Sequence, residues 1–362
     1  MVGADLCVRP NQIFVLLKVT IFIQVDCLLN FLEGETMRNK ILGKLYKNKE
    51  GYISGEILAA DLGVSRTAVW KHINILREEG YKIETTPGKG YRLLEMEDKL
   101  LPGEIKNILS GRAMGRQIIY FDSIDSTNAY AKKEIDRLKD GTVILAERQT
   151  AGRGRRGRGW LSPEGTGIWM SIVLKPDIPP REGIKMTQIA VAAVCKSIRE
   201  LTKLDALIKW PNDIVVNGKK VCGILTEMAG ELNEINYIVI GIGINVNMKD
   251  FPDKIKEHAS SLFIEGSKKI DRKILLVDIL KRFENLYGAY MENLNLNETL
   301  SIVRNYSAIF GKNIRIIQGK SVKVVKAVDI NDDGLLLVEM EDGSRELISS
   351  GEVSIRGEKG YI

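Results

Sequence analysis

At 362 residues and 40.5 kDa the chain is long enough for two or three domains. Its 44% apolar and 28% charged residues describe a soluble globular protein with ample core, not a disordered tail or a collagen-like fibre. With only His72 and His258, a His-rich metal site or a paired-His mechanism is excluded, so chemistry must run on Lys, Arg, Asn, Asp and backbone amides. The four cysteines (Cys7, Cys27, Cys195, Cys222) contain no Cys-x-x-Cys and read as free thiols of a reducing cytoplasm.

The net charge of +6 is unevenly placed. Residues 37–94 hold eleven basic against six acidic residues, the highest positive density in the chain and a hint of a polyanionic partner there. The first 36 residues fit nothing downstream. Their apolar stretch from Ile13 to Leu32 is broken by Lys18, Gln24, Asp26 and Asn30, and a charge near a bilayer centre costs about 2.5–3.5 kcal/mol. No small-residue cleavage site follows, so neither a membrane partner nor a secretory signal is expected. Met37-Arg38-Asn39-Lys40-Ile41-Leu42 looks like a domain start, which makes 1–36 an over-extended prefix.

Between 37 and 96, Ile41, Leu42 and Leu45 recur at helical spacing, and Ser54 precedes a helix carrying Ile57, Leu58 and Leu62 that Gly63 ends. Ser65 opens a third helix with Val69, Ile73 and Leu76 on one face, stopped by Gly80. The strand Tyr81–Thr85, the turn Pro87-Gly88-Lys89-Gly90 and the strand Tyr91–Leu94 complete a winged helix-turn-helix. Ser65, Arg66, Thr67, Trp70 and Lys71 then stand where base edges are read, with Lys89 and Arg92 in the wing. A winged helix used for protein contacts is the alternative, and the local charge favours DNA.

The acidic stretch Glu95–Asp98 marks a boundary, and Pro102 opens a helix over Glu104–Leu109. In 97–310 strands (Ile118–Asp122, Thr142–Gln149, Gly167–Lys175, Leu207–Trp210, Tyr237–Ile242) alternate with helices (Asn128–Leu138, Thr187–Leu201, Lys273–Leu294), and Asn217-Gly218 makes a hairpin. The pattern predicts an α+β fold with a mixed, mainly antiparallel sheet and helices against it, not a doubly wound sheet. Residues 311–362 read as a small barrel of short strands: Asn313–Ile316, Ser321–Ile330, Gly334–Glu339 and Arg345–Ser349.

Four stretches carry chemistry. Gly152-Arg153-Gly154-Arg155-Arg156-Gly157-Arg158-Gly159-Trp160 sets four arginines among four glycines between two apolar strands, so it is a tethered loop able to order over an anion rather than an arginine-glycine tail. Burying those four charges without an anion would be costly. Ser126-Thr127-Asn128 opens a helix, either as a plain cap or as donors and acceptors for a small neutral polar group. Lys209 at a strand end is either a solvated or salt-bridged lysine or one whose stem is buried and whose ammonium is directed into a cleft; the flanking Ile208 and Trp210 favour the second, while Asn212 and Asp213 suit magnesium or a ribose. Gly241-Ile242-Gly243-Ile244-Asn245 lacks the third glycine and the following helix of a dinucleotide loop, and is rejected as one.

In their order these stretches resemble the bifunctional biotin–protein ligase and biotin operon repressor family from about Met37 onward. The resemblance rests on SRTAVWKHI (65–73), PGKGY (87–91), DSTN (125–128), ERQTAGRGRRGRGW (147–160), KWPND (209–213), KVCGIL (220–225), GIGIN (241–245) and GEVSIR (351–356). It implies a winged helix-turn-helix, a class II synthetase-like catalytic domain and an SH3-like barrel. It also implies two half-reactions: biotin and MgATP form biotinyl-5′-adenylate, and the acyl group passes to a lysine of a biotin carboxyl carrier domain. By motif, Lys209 and Arg155 are catalytic. Ser126, Thr127, Asn128, Gln149, Arg153, Gly154, Arg155 and Lys209 hold biotin. Arg153, Arg155, Arg156, Arg158, Trp160, Asn212 and Asn245 hold the nucleotide, and Asp213 a Mg²⁺ ion. The resemblance further implies an adenylate-favoured homodimer on operator DNA. A lipoate or octanoyl-protein ligase and a non-enzymatic sensing repressor are the alternatives; the Arg-Gly loop speaks against the first and intact Lys209, Asn212 and Asp213 against the second.

Removal of residues 1–36 is expected to leave folding and activity unchanged, as a thermal melt and an activity assay on the shortened chain will register; loss of either makes the prefix part of the working protein.

Overall fold

The computed structural model describes residues 37–48, 51–78, 81–94, 98–109, 112–231, 234–319, 321–350, 353–357 and 360–362. The prefix, with Cys7 and Cys27, lies outside them, as do Gly80, Glu95–Glu97 and the first two residues of GEVSIR. Two compact units divide between Glu97 and Asp98. No helix of the described residues is long and apolar enough to cross a membrane.

The first unit runs α1 (Met37–Lys47), α2 (Gly55–Leu62), α3 (Arg66–Glu78), β1 (Ile83–Thr86) and β2 (Gly90–Leu93). Ser54 caps α2 by accepting the Ile57 amide at 3.1 Å, and Gly63 ends it at φ 65°. Ser65 accepts the Ala68 amide at 3.1 Å at the start of α3. Ile41, Leu45, Leu58, Val69, Ile73 and Leu76 are buried together with Ile83 and Leu93 of the hairpin. Burial of such side chains, roughly 1.5–3 kcal/mol each, holds the unit. Gly90 (φ 105°) is obligatory, because a Cβ there would sit 2.1 Å from the Ile53 carbonyl.

The second unit continues with α4 (Pro102–Ile108), β3 (Ile118–Ile124), α5 (Thr127–Lys133), β4 (Thr142–Gln149), β5 (Gly167–Leu174), α6 (Lys185–Thr202), β6 (Leu207–Lys209), β7 (Asp213–Val216), β8 (Lys219–Gly230) and β9 (Ile235–Asn245). Then come α7 (Asp253–Lys256), α8 (Leu262–Gly266), α9 (Arg272–Asn293), α10 (Asn297–Asn305), and strands β10 (Asn313–Gln318), β11 (Ser321–Ile330), β12 (Leu336–Glu339), β13 (Arg345–Ile348) and β14 (Ser354–Gly357). Seven strands order as β3-β4-β5-β9-β8-β7-β6, with only β3–β4 parallel. The mixed, mainly antiparallel sheet is as expected. The last five strands form an antiparallel sheet ordered β13-β12-β11-β10-β14, where four were expected; β14 is only four residues long and gives little periodic signal. The helix expected over Asn128–Leu138 breaks at Glu134 and finishes as a 3₁₀ turn, Ile135–Arg137. The short helices α7 and α8, and α10, were not anticipated, since one to three turns carry too few apolar repeats.

Strand β5 (Gly-Ile-Trp-Met-Ser-Ile-Val-Leu) is buried throughout because both faces of the sheet are covered. Its even positions, Met170 and Ile172, join α6 and α9 in the main core, and Val173 joins Ala131 of α5 and Val239 in a second cluster. At the start of α9, Arg272 is fully buried. It donates to Glu147 at 3.0 Å and the Gly167 carbonyl at 2.8 Å, and it pairs with Asp98 at 3.2 Å. Glu147, also fully buried, accepts the Leu100 amide at 2.7 Å. Arg272→Ala strands that carboxylate and is expected to cost about 3–5 kcal/mol in urea unfolding. Arg345→Ala, which breaks an exposed pair with Glu339, is expected to cost less than about 1 kcal/mol.

Candidate active site

The sheet face away from α6 carries a row of small residues. Ser171 opposes Gly241, and Gly243 opposes Gly223 across the β8–β9 ladder. A Cβ on Gly243 would lie 2.4 Å from Trp160 Nε1, and one on Gly241 would lie 2.4 Å from Asn128 Oδ1. The glycines of GIGIN therefore let an indole and an amide lie on the strands; the segment is β9, as its rejection as a dinucleotide loop requires.

Above this floor opens a cavity of about 310 Å³. Every residue expected to hold biotin or nucleotide lines it: Ser126, Thr127, Asn128, Gln149, Arg153, Gly154, Arg155, Arg156, Arg158, Trp160, Lys209, Asn212 and Asn245, with Asp213 beside them. Ser126 serves both readings, for it caps α5 through the Ala129 amide and lines the cavity. At one end Thr127 donates its amide (2.9 Å) and hydroxyl (3.1 Å) to Gln149 Oε1, and Gln149 Nε2 donates to Ser162 Oγ at 3.0 Å. Ser171 Oγ shares its proton between Thr127 Oγ1 (2.7 Å) and Asn128 Oδ1 (2.6 Å), and Asn128 Nδ2 donates to Glu227 at 2.8 Å. Burial raises the Glu227 carboxyl pKa, but bonds from Lys132 and Asn128 outweigh it and hold it below the usual range.

The Arg-Gly segment folds as an irregular hairpin. Gln149 bridges Ser162, Arg153 bridges Gly159, and the Gly154 amide donates to the Arg158 carbonyl at 2.7 Å. Its tip takes left-handed values at Arg156 (φ 59°) and Gly157 (φ 70°). Arg153, Arg156 and Arg158 are exposed, and of the four only Arg155 is drawn in. Arg155 donates to Asn212 Oδ1 at 2.9 Å and to the Ser350 and Val353 carbonyls, so it ties the hairpin to both sheets. Burial, with Arg156 and Arg158 nearby, lowers its pKa against the opposing pull of Asp213.

Lys209 ends the edge strand β6. It is 2% exposed, its Nζ has no hydrogen-bond partner, and the Tyr361 ring centroid lies 3.2 Å away. Burial pushes its pKa down to about 7, with Arg356, Lys220 and Arg158 adding repulsion against the attraction of Asp213. Trp160 Nε1 is a second buried donor without a partner at this cavity. Two unsatisfied donors among cations are costly unless an acceptor-rich anion completes them.

Asp213, expected to hold Mg²⁺, has two protein partners beside the cavity. Its Oδ1 pairs with Lys220 at 2.6 Å and its Oδ2 accepts the Tyr361 hydroxyl. Among the described residues no three His, Cys, Asp or Glu side chains converge as a metal site. Burial raises the Asp213 pKa, yet Lys220 and Tyr361 outweigh it and keep it ionised. Lys220, His258, Arg356 and Tyr361 also line the cavity and were missed as site residues. Lys220 and Arg356 stood inside quoted motifs, but neither spacing nor composition distinguished them. Cys195 and Cys222 are free and buried, as expected.

In the first unit Val69, Ile73 and Leu76 face inward, while Ser65, Arg66, Thr67, Trp70 and Lys71 are exposed along α3. Lys89 is exposed in the wing; Arg92 is half-buried, bonded to Glu84 at 2.7 Å and stacked 4.8 Å from the Tyr52 ring.

Residues 37–92 match an HTH domain, 120–245 the biotin/lipoate A/B protein ligase family, and 309–356 the biotin protein ligase C terminal domain. The bifunctional ligase/repressor BirA of Bacillus subtilis is 41% identical over 87% of this chain and 98% of its own length. That of Escherichia coli is 33% identical over 84% and 92%. A solved biotin protein ligase from Aquifex aeolicus, in complex with biotin and ATP, superposes with a TM-score of 0.60 at 31% identity, covering 67% of this chain and 99% of that one. The chain belongs to the biotin/lipoate A/B protein ligase family, among its bifunctional ligase/repressors.

Proposed function

We propose that this chain joins biotin to a carrier lysine at the expense of ATP and represses transcription through its winged helix. The observation that carries the enzymatic reading is the buried, unpartnered Lys209 ammonium, set with Trp160 Nε1 in a cavity rimmed by arginines. In the first step a biotin carboxylate oxygen attacks the α-phosphorus of MgATP and the α–β bridging P–O bond breaks, releasing pyrophosphate. Two anions meet in that step, so charge neutralisation and alignment dominate. Lys209, Lys220 and Arg155 supply the cations; Ser126, Thr127, Asn128 and Gln149 offer the donors and acceptors for the neutral ring end of biotin, and Arg153 and Gly154 close over it. Arg156, Arg158, Trp160, Asn212 and Asn245 flank the nucleotide, and Asp213 is the carboxylate that would hold its magnesium. In the second step the neutral ε-amine of the carrier lysine attacks the acyl carbon, AMP leaves, and the amine sheds its extra proton. The charge neutralisation needs no histidine.

The three parts 37–96, 97–310 and 311–362 then divide the labour between DNA, chemistry and closure of the site, in the cytoplasm. Adenylate ordering of the Arg-Gly hairpin favours a homodimer, which places two α3 helices on a two-part operator. Exposed Ser65, Arg66, Thr67, Trp70 and Lys71, with Lys89 and Arg92 in the wing, make those contacts.

Purified protein incubated with biotin, MgATP and a biotin carrier domain is expected to yield a streptavidin-reactive product, and lipoate in its place none. Labelling by lipoate alone moves the chain to a lipoate ligase, and no labelling removes the enzymatic reading. Lys209→Ala is expected to keep biotin binding but to lower pyrophosphate release at least tenfold, the size of one lost charged contact. In the parent, kcat/KM for that step is expected to fall as pH rises through about 7, because the Lys209 ammonium then loses its proton. Lys209→Arg is expected to carry the decline to higher pH; an unmoved profile assigns it to another group.

A further inference from the structure

Lys209 and Asp213 stand directly opposite each other in the β6–β7 ladder. Oppositely charged residues at such positions ordinarily pair with each other. These do not. Lys209 Nζ is buried without a partner, while Asp213 turns one oxygen to Lys220 at 2.6 Å and the other to the Tyr361 hydroxyl. Tyr361 is itself held in place: its ring lies against Lys209 Nζ at 3.2 Å, faces His258 at 5.8 Å and meets Arg356 at 4.9 Å. The ring offers the ammonium an attractive face but no acceptor.

We propose that Tyr361 is a positioning residue for adenylate formation: by holding the second Asp213 oxygen and covering Lys209, it prevents the opposing carboxylate from neutralising the ammonium and keeps that charge for the substrate anion. The proposal rests on the ligase reading for its kinetic consequence, but not for its geometry. A lysine paired with aspartate would have to exchange that pair for every incoming carboxylate or phosphate. One left without an acceptor gives its full attraction to the ligand.

Tyr361→Phe keeps the ring and removes the hydroxyl. Its crystal structure is expected to show Lys209 Nζ moved to within about 4 Å of an Asp213 oxygen, the reach of an ion pair. Pyrophosphate release with biotin and MgATP is expected to lose roughly tenfold in kcat, one charged contact in the transition state, with the biotin KM changed less than about twofold. In an Asp213→Asn background, where no carboxylate remains to be restrained, Tyr361→Phe is expected to have no further effect, whereas a merely structural tyrosine would give additive losses. Additive losses, a parental rate, or a rate above the parent (a tyrosine that shields Lys209 from substrate) would each overturn the proposal, as would a crystal structure of the Tyr361→Phe variant with Lys209 still unpaired. Absence of pyrophosphate release from the parent would instead remove the ligase reading, and the Lys209–Asp213 distance in Tyr361→Phe would still decide the positioning role.

Discussion

A sheet covered on both faces has no natural place for a polar ligand, and the site exists here because one face is left hollow along a single row. Ser171, Gly223, Gly241 and Gly243 align across three adjacent strands, and the other face of the same strands carries Met170, Ile172, Ile240 and Ile242 into the core against α6 and α9. Strand alternation converts one sequence pattern into two opposite surfaces. The core face supplies stability, and the missing side chains on the other supply volume. Enlarging either glycine would push Trp160 or Asn128 off the floor, so the cavity depends on this row more than on any single ligand contact.

The cations around that hollow do not share one environment. Arg155 is anchored through Asn212 and two carbonyls near β14, and Lys220 is anchored by Asp213. Lys209 alone among these three has no acceptor. Anchored cations shape the field, while an unsatisfied buried one is poised to take an anion when it enters. The exposed Arg153 and Arg158 remain solvated on the hairpin, where charge is inexpensive to keep and easy to redeploy. A biotin–protein ligase needs both kinds, since it must attract two anions and then hold a reactive acyl phosphate away from water.

Local features were legible in the chain. Ser54, Gly63 and Ser65 mark helix ends through contacts reaching only three or four residues, and the inward face of Val69, Ile73 and Leu76 follows from helical period alone. The Arg-Gly run and the Lys209 strand end stand out by composition, and it was the family resemblance of the motifs that assigned residues to biotin and nucleotide before any contact was known. The short helices α7, α8 and α10 and strand β14 were not legible, because a few residues sustain no period. Nor was the state of each arginine: nothing in the run distinguishes Arg155, which folding draws in, from the three that the hairpin leaves exposed.

The amino-acid sequence by itself determined the α+β class, the winged helix, the loop of guanidinium groups and the lysine at the strand end, since each is written in spacing or composition over a short window. Only the tertiary structure decided which partner each charge takes. Asp213 stands four residues from Lys209, and folding brings Lys220 from β8 and Tyr361 from beyond β14 to its two oxygens. Those residues lie 7 and 148 positions away in the chain. Charge pairing depends on distances of a few ångströms that strand order creates, and no local pattern carries that information.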